Sequence, residues 1–142
     1  MRGAYFAKRR RVAASPTIVE FALVAPIFFL MVLGIIEICR ACMVTELLTE
    51  AARQACRQSV IEGTSASAVQ AAAVNYLTSV GINGESADLY VNDQPIGTTD
   101  LSTMPAYTEV TVVVTVPVNS VTWAPPWFVT GTLAGQYTMR RE

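Results

Sequence analysis

Histidine is absent from this sequence. With it go the commonest general base at neutral pH and the commonest metal ligand. Ser15, Ser59, Ser65 and Ser120 have no imidazole to activate them, so no hydrolase triad can be drawn. Cysteine is scarce too: Cys39, Cys42 and Cys56 include one Cys-x-x-Cys and no second pair, which argues against a zinc site. Asp88 and Asp93 are acids that could in principle work together, but nothing in the sequence gathers them into a pocket. The expectation is a protein with no catalytic residue, no metal, no cofactor and no small-molecule substrate.

Charge is also thin. Only 15% of residues are charged against 52% hydrophobic, and the mean hydropathy is +0.40, high for a soluble domain and ordinary for a single-span protein. Acid is missing altogether from residues 1–19, which carry five bases: Arg2, Lys8, Arg9, Arg10 and Arg11. Residues 37–142 carry five bases and ten of the eleven acids, Glu20 being the eleventh. A basic arm can bind nucleic acid, but one placed directly before an apolar run is read as a topology signal, with no nucleic-acid partner expected.

That run extends from Pro16 to Ile36 and is interrupted by one carboxylate, Glu20. As a helix it spans about 30 Å, enough to cross a bilayer. A signal peptide has a shorter apolar core and a small-x-small cleavage site; here the run ends Gly34-Ile35-Ile36-Glu37-Ile38 without one. The reading is a basic cytoplasmic leader over 1–15, a retained transmembrane helix over 16–38, and an extracytoplasmic domain over 39–142. About a hundred residues suffice for one small domain.

The helical spacing continues past the span. Val44, Leu47, Leu48, Ala51, Ala52, Ala55 and Cys56 recur at three-four intervals, and neither proline nor glycine occurs between Ile35 and Glu62. One helix from Thr17 to Ile61, about 65 Å long, is expected, with Pro26 bending it inside the membrane and Gly63 ending it. Among its charges, Glu50 and Arg53 should attract, whereas Glu46 with Glu50 and Arg53 with Arg57 should repel. A second helix follows, with Ala68, Val69, Ala72, Ala73, Tyr76 and Leu77 on its apolar face, Ser65 or Ser67 as cap and Gly81 as terminator. The period then becomes two. Strands are expected at Ala87–Asn92, Thr108–Val116 and Thr132–Arg141, with a turn at Asn92-Asp93-Gln94-Pro95. Val110, Val112, Val114 and Val116 should face the core, and Leu133, Tyr137 and Met139 should share a face. The fold class is α+β: a long N-terminal transmembrane helix running into a small domain with a second helix and a three- to four-stranded antiparallel sheet.

Several residues admit two readings. Cys39 and Cys42 are either small packing residues of a helix or partners in an intermolecular disulfide. Glu37 and Arg40, at i and i+3, are a functional pair or a marker of the membrane exit. Trp123 and Trp127, beside Pro125-Pro126, form a recognition surface or a loop lying over the domain or at the lipid interface. Glu20 is a boundary residue at the headgroups or a charge that must be answered within the membrane.

The order of residues around Glu20 resembles the type IV pilin superfamily: a basic leader, a junction, four apolar residues, then Glu-Phe. It is more closely similar to TadE-like proteins, pseudopilins of the Tad (tight adherence) system that assembles Flp pili. The likeness rests on Ile18-Val19-Glu20-Phe21-Ala22-Leu23-Val24-Ala25-Pro26, Gly34-Ile35-Ile36-Glu37 with Arg40, Ala51-Ala52-Arg53 with Arg57, and Leu133 to Met139-Arg140. The resemblance implies a pilin-like fold in the bacterial inner membrane, with the N-terminus cytoplasmic and the domain periplasmic. It also implies cutting by a prepilin peptidase between Ser15 and Pro16. Glu20 and Phe21 would then occupy the fifth and sixth mature positions, and Glu20 would set subunit register by meeting a neighbour's terminal amine. Other pilin-like subunits and the Tad secretion machinery are the implied partners. This chain departs from the family at the junction, with Ser15 where glycine is usual and Pro16 after the scissile bond. Proline there resists many peptidases, so an uncut anchor remains the alternative product.

Overall fold

A computed structural model describes residues 16–61, 63–96, 101, 104–105, 107–122 and 130–141. The chain divides into two compact units at Ile35 and Ile36. The first unit is the start of helix α1 (Pro16–Val60), which continues into the second. Pro16 suits the first helical position, where its missing N–H would have had no partner in the helix. From Pro16 to Gly34 almost every residue is exposed, Phe21, Leu23, Phe28, Phe29 and Leu30 included. A helix apolar on every side belongs either to the core of a large protein or to a membrane. By length and composition the segment can cross a membrane. The helical assignment runs unbroken through Pro26.

In the second unit α1 becomes one-sided. Val44, Leu48, Ala51, Ala52, Ala55, Cys56 and Ser59 are buried, a stripe at three- and four-residue intervals. The small alanines in it let the helix backbone lie close to a sheet. Ser59, not anticipated as a core position, satisfies its own hydroxyl by donating to the Cys56 carbonyl at 2.6 Å.

Helix α2 (Ala66–Ser79) starts at Ser65, whose hydroxyl accepts from the Ala68 N–H at 3.3 Å. It ends in a Schellman motif: Ile82 N–H to Leu77 O, 3.0 Å, and Gly81 N–H to Thr78 O, 3.1 Å. This needs the left-handed φ of 83° that Gly81 adopts. The motif also puts Ile82 and Leu77 into the core together. The buried face of α2 is Ala66, Val69, Ala73 and Leu77. Ala68, expected on that face, points outward, because the buried face runs through Ala66, Val69, Ala73 and Leu77 and Ala68 falls to one side of it.

Four strands form an antiparallel sheet: β1 (Ser86–Val91), β2 (Gln94–Pro95), β3 (Glu109–Pro117) and β4 (Thr132–Arg140), in the order β2-β1-β3-β4. The turn after β1 is tighter than expected. Asn92 and Asp93 alone make it, both at positive φ (48° and 62°), while Gln94 and Pro95 pair back onto Val91 and Tyr90. Two central residues at positive φ match the twist of a two-residue hairpin, and proline is tolerated because β2 is an edge.

Val110, Val112, Val114 and Val116 of β3 are buried, and Leu133, Gly135, Tyr137 and Met139 of β4 share that inner face. The other face is polar: Ser86 hydrogen-bonds Thr115 (2.7 Å) and Thr111 hydrogen-bonds Thr138 (2.8 Å). A sheet with one dry and one wet face needs its cover on one side only. The helices supply it, so the domain is a two-layer α+β unit.

Candidate functional site

Two stretches of α1 carry the residues singled out by the sequence, one in each unit. In the first unit Pro16 is the opening residue of the helix, and Glu20, Phe21 and Pro26 follow on it, all exposed. Glu20 stands among exposed Ile18, Val19, Leu23 and Val24. Pro26 has no N–H, so the Ala22 carbonyl lacks its usual helical donor. Ser15 and the bases Lys8 to Arg11 lie outside the described residues, as do Trp123, Pro125, Pro126 and Trp127.

In the second unit, Glu37 and Arg40 are half-buried and sit one turn apart. Oε2 of Glu37 accepts a 2.9 Å hydrogen bond from the Thr122 hydroxyl. Thr122 follows a short 3-10 turn, Val118–Ser120, which in turn follows β3. Val118, Val121, Ile38, Ala41 and Leu133 surround this contact and enclose a small apolar cavity of about 180 Å³. An acid and a threonine distant in sequence thus tie the segment after β3 to α1 at Glu37.

Further along α1 an open groove of about 550 Å³ runs between the helix and Tyr137 of β4. Cys42, Glu46, Thr49, Glu50 and Arg53 line its helical side. The expected Glu50–Arg53 attraction is realised at 3.4 Å, and the Arg53 guanidinium lies 6.0 Å from the Tyr137 ring centroid. Both Arg53 and Glu50 are exposed enough for solvent to screen the pair. The packing beneath is what sets the geometry. A Cβ on Gly135 would stand closer than 3.0 Å to the backbone of Leu48 and Thr49, so β4 and α1 touch backbone to backbone there.

Cys56 lies under this contact. Its thiol is fully buried and donates to the Tyr137 carbonyl at 3.0 Å. Burial pushes the Cys56 thiol above its ordinary pKa, against backbone hydrogen bonds at Val112 and Met139 that lower it. Such a thiol is a core group, not a nucleophile. Among the described residues, no three His, Cys, Asp or Glu side chains gather as a metal site.

Sequence reasoning missed Thr122 and the role of Gly135. No local signal marks Thr122. Gly135 did carry one, since a glycine alone within a strand pattern signals close backbone approach.

Residues 17–57 match the family model for TadE-like protein. No curated protein and no solved structure matches the chain. The matched segment covers nearly all of α1, with Glu20, Phe21, Pro26, Glu37, Arg40, Arg53 and Arg57 inside it. The resemblance to TadE-like proteins read from the residues is thereby shown for that helix; the sheet lies outside the match.

Proposed function

We propose that this chain is a minor pilin-like (pseudopilin) membrane component of a Tad-type pilus assembly or secretion system, acting by lateral helix packing and not by catalysis. One observation carries the reading. The TadE-like segment lies on a helix whose most apolar stretch is long enough to span a membrane and has no buried side chain, and a single carboxylate stands in its first turns.

A lone carboxylate in lipid costs a few kcal/mol or more unless something answers it. Removal of the leader frees an α-amine at Pro16, a cation that a neighbouring copy of the helix can offer to Glu20. Glu20 of one subunit then fixes the axial offset of the next, with Phe21 beside it and Pro26 shaping the helix. In this reading the N-terminus is cytoplasmic, the helix crosses the inner membrane and the domain is periplasmic. A prepilin peptidase, other pilin-like subunits and the Tad machinery are the partners.

The test is Glu20→Val in the native host. The expected result is a chain that resists carbonate extraction from membranes but no longer supports piliation. Unchanged piliation by an inserted Glu20→Val chain sinks the register role. Intact mass of the wild-type chain decides processing, with a start at Pro16 for the cut form and at Met1 for the uncut anchor. A second reading, a single-pass membrane-anchored envelope binding module that never enters a filament, is favoured by the groove beside β4. Retained piliation in Glu20→Val together with its loss in Tyr137→Ala supports that module.

A further inference from the structure

The two edges of the sheet are unlike. One is β2, two residues long and ended by Pro95, which blunts it against further pairing. The other is β4, nine residues long, with no proline and no charge before Arg140. Two hydrogen bonds fix which way its backbone groups point: Val118 N–H to Gly131 O at 3.0 Å, and Arg141 N–H to Thr108 O at 2.9 Å. Opposed residues of an antiparallel ladder alternate between bonded and non-bonded pairs. Through the register of β3 and β4, the odd-numbered residues of β4 therefore turn their N–H and C=O groups toward β3. Thr132, Ala134, Gln136 and Thr138 turn theirs outward, and all four residues are exposed. Among the described residues, nothing bonds those outward groups. We propose that this edge docks an extended segment of a partner protein, which adds beside β4 as a further strand and sends every second side chain into the groove between α1 and Tyr137.

The groove lies where those side chains arrive. Cys42, Thr45, Thr49 and Arg53 line it from a side of α1 adjoining the buried stripe, and Tyr137 lines it from the inner face of β4. Half the side chains of a strand added to β4 share the face of Tyr137 and enter this space of about 550 Å³. The other half join Thr132, Ala134, Gln136 and Thr138 on the wet face. Charge decides the chemistry of the segment. Glu50 is answered by Arg53 at 3.4 Å. Glu46 lines the same groove, is exposed, and has no partner among the described residues. The segment that fits alternates polar with apolar residues and carries a lysine or arginine among the inward ones. Main-chain hydrogen bonds supply the affinity of such a docking, and the groove its selectivity.

A second copy of this chain does not fit the edge. Leu133, near the start of β4, lines a cavity with Ile38 and Ala41, whereas Tyr137 lines the groove with Thr49 and Arg53. The strand thus runs in the same direction as α1. Two β4 edges related by a two-fold axis pair antiparallel, which sets the Ile36 ends of the two domains, where the apolar runs join them, at opposite ends of the pair. Two chains anchored in one bilayer cannot meet that way. Only this step rests on the proposed membrane anchorage.

The test titrates the full-length chain in detergent against a fluorescent nine-residue peptide that alternates threonine with valine, one middle valine replaced by lysine, and reads anisotropy. Saturable binding is expected, weakened about tenfold or more by Gln136→Pro through lost main-chain hydrogen bonds. Proline there removes an outward N–H and leaves the ladder to β3 intact, which circular dichroism checks. N-methylation of alternate peptide amides should abolish binding to the wild-type chain. Glu46→Lys should reverse the preference toward a peptide with glutamate in place of the lysine. Binding indifferent to both Gln136→Pro and N-methylation overturns strand addition, and indifference to the charge reversal overturns the basic segment. A wild-type chain that binds no peptide at about 1 mM overturns the site. Self-association that disappears in Gln136→Pro gives the edge to a second copy and overturns the partner assignment.

Discussion

The Thr122 hydroxyl donates a 2.9 Å hydrogen bond to Oε2 of Glu37 across 85 residues of sequence. It joins the segment after β3 to the first charged residue beyond the apolar run. Both groups are half-buried, so the bond is partly shielded from water. Thr122→Val should weaken the domain by about 1 kcal/mol, a melting temperature lower by about 5 °C for a unit of this size. Circular dichroism melts of the full chain in detergent would read it; an unchanged melt would show that the bond contributes nothing.

Gly135 should be the least replaceable residue of β4. An added methyl group meets the backbone of Leu48 and Thr49, and backbone cannot swing aside as a side chain can. Gly135→Ala is expected to cost about 3 kcal/mol or more. Thr132→Ala, at an exposed position of the same strand, should stay within about 0.5 kcal/mol of wild type. Urea unfolding of the two variants side by side measures the difference.

The hairpin between β1 and β2 leaves room for improvement. Asp93 holds a φ of 62°, which glycine reaches without strain. Asn-Gly is a favoured pair for this turn, so Asp93→Gly should raise stability by about 0.5 kcal/mol, the relief of strain outweighing the added freedom of the unfolded chain. A lower melting temperature for this variant would mean that Asp93 makes a compensating contact.

Cys56 gives the fold a pH dependence on the alkaline side. Its folded pKa is raised by burial, so the folded state holds this proton more tightly than the unfolded chain does. The contribution is fully present below the ordinary thiol pKa of about 8.5 and is lost as pH rises through the folded value. Urea midpoints at pH 7.5 and pH 9.5 should fall further in wild type than in Cys56→Ala. Equal falls would mean that the thiol ionises as easily inside as outside.

Most of the architecture could be read from short-range pattern. The three-four spacing from Val44 to Cys56 marked the buried side of α1, and strict alternation from Val110 to Val116 marked the inner face of β3. Gly81 and Ser65 marked the ends of α2 because their backbone and hydroxyl requirements are local. Local pattern failed where the decision was a phase or a length. The spacing in α2 leaves the phase of its buried face open, and Ala68 falls outside that face. Gln94 and Pro95 read as turn residues because two residues are too few to display alternation.

The apolar run and its solitary acid belong to the sequence alone, since solvation by lipid is a matter of composition and length over consecutive residues. So does the order of residues that gives the likeness to TadE-like proteins across 17–57. Folding in three dimensions decided which threonine answers Glu37 and which glycine admits the backbone of α1. Those choices join residues far apart along the chain, and only the packing of helix on sheet brings them within reach of each other.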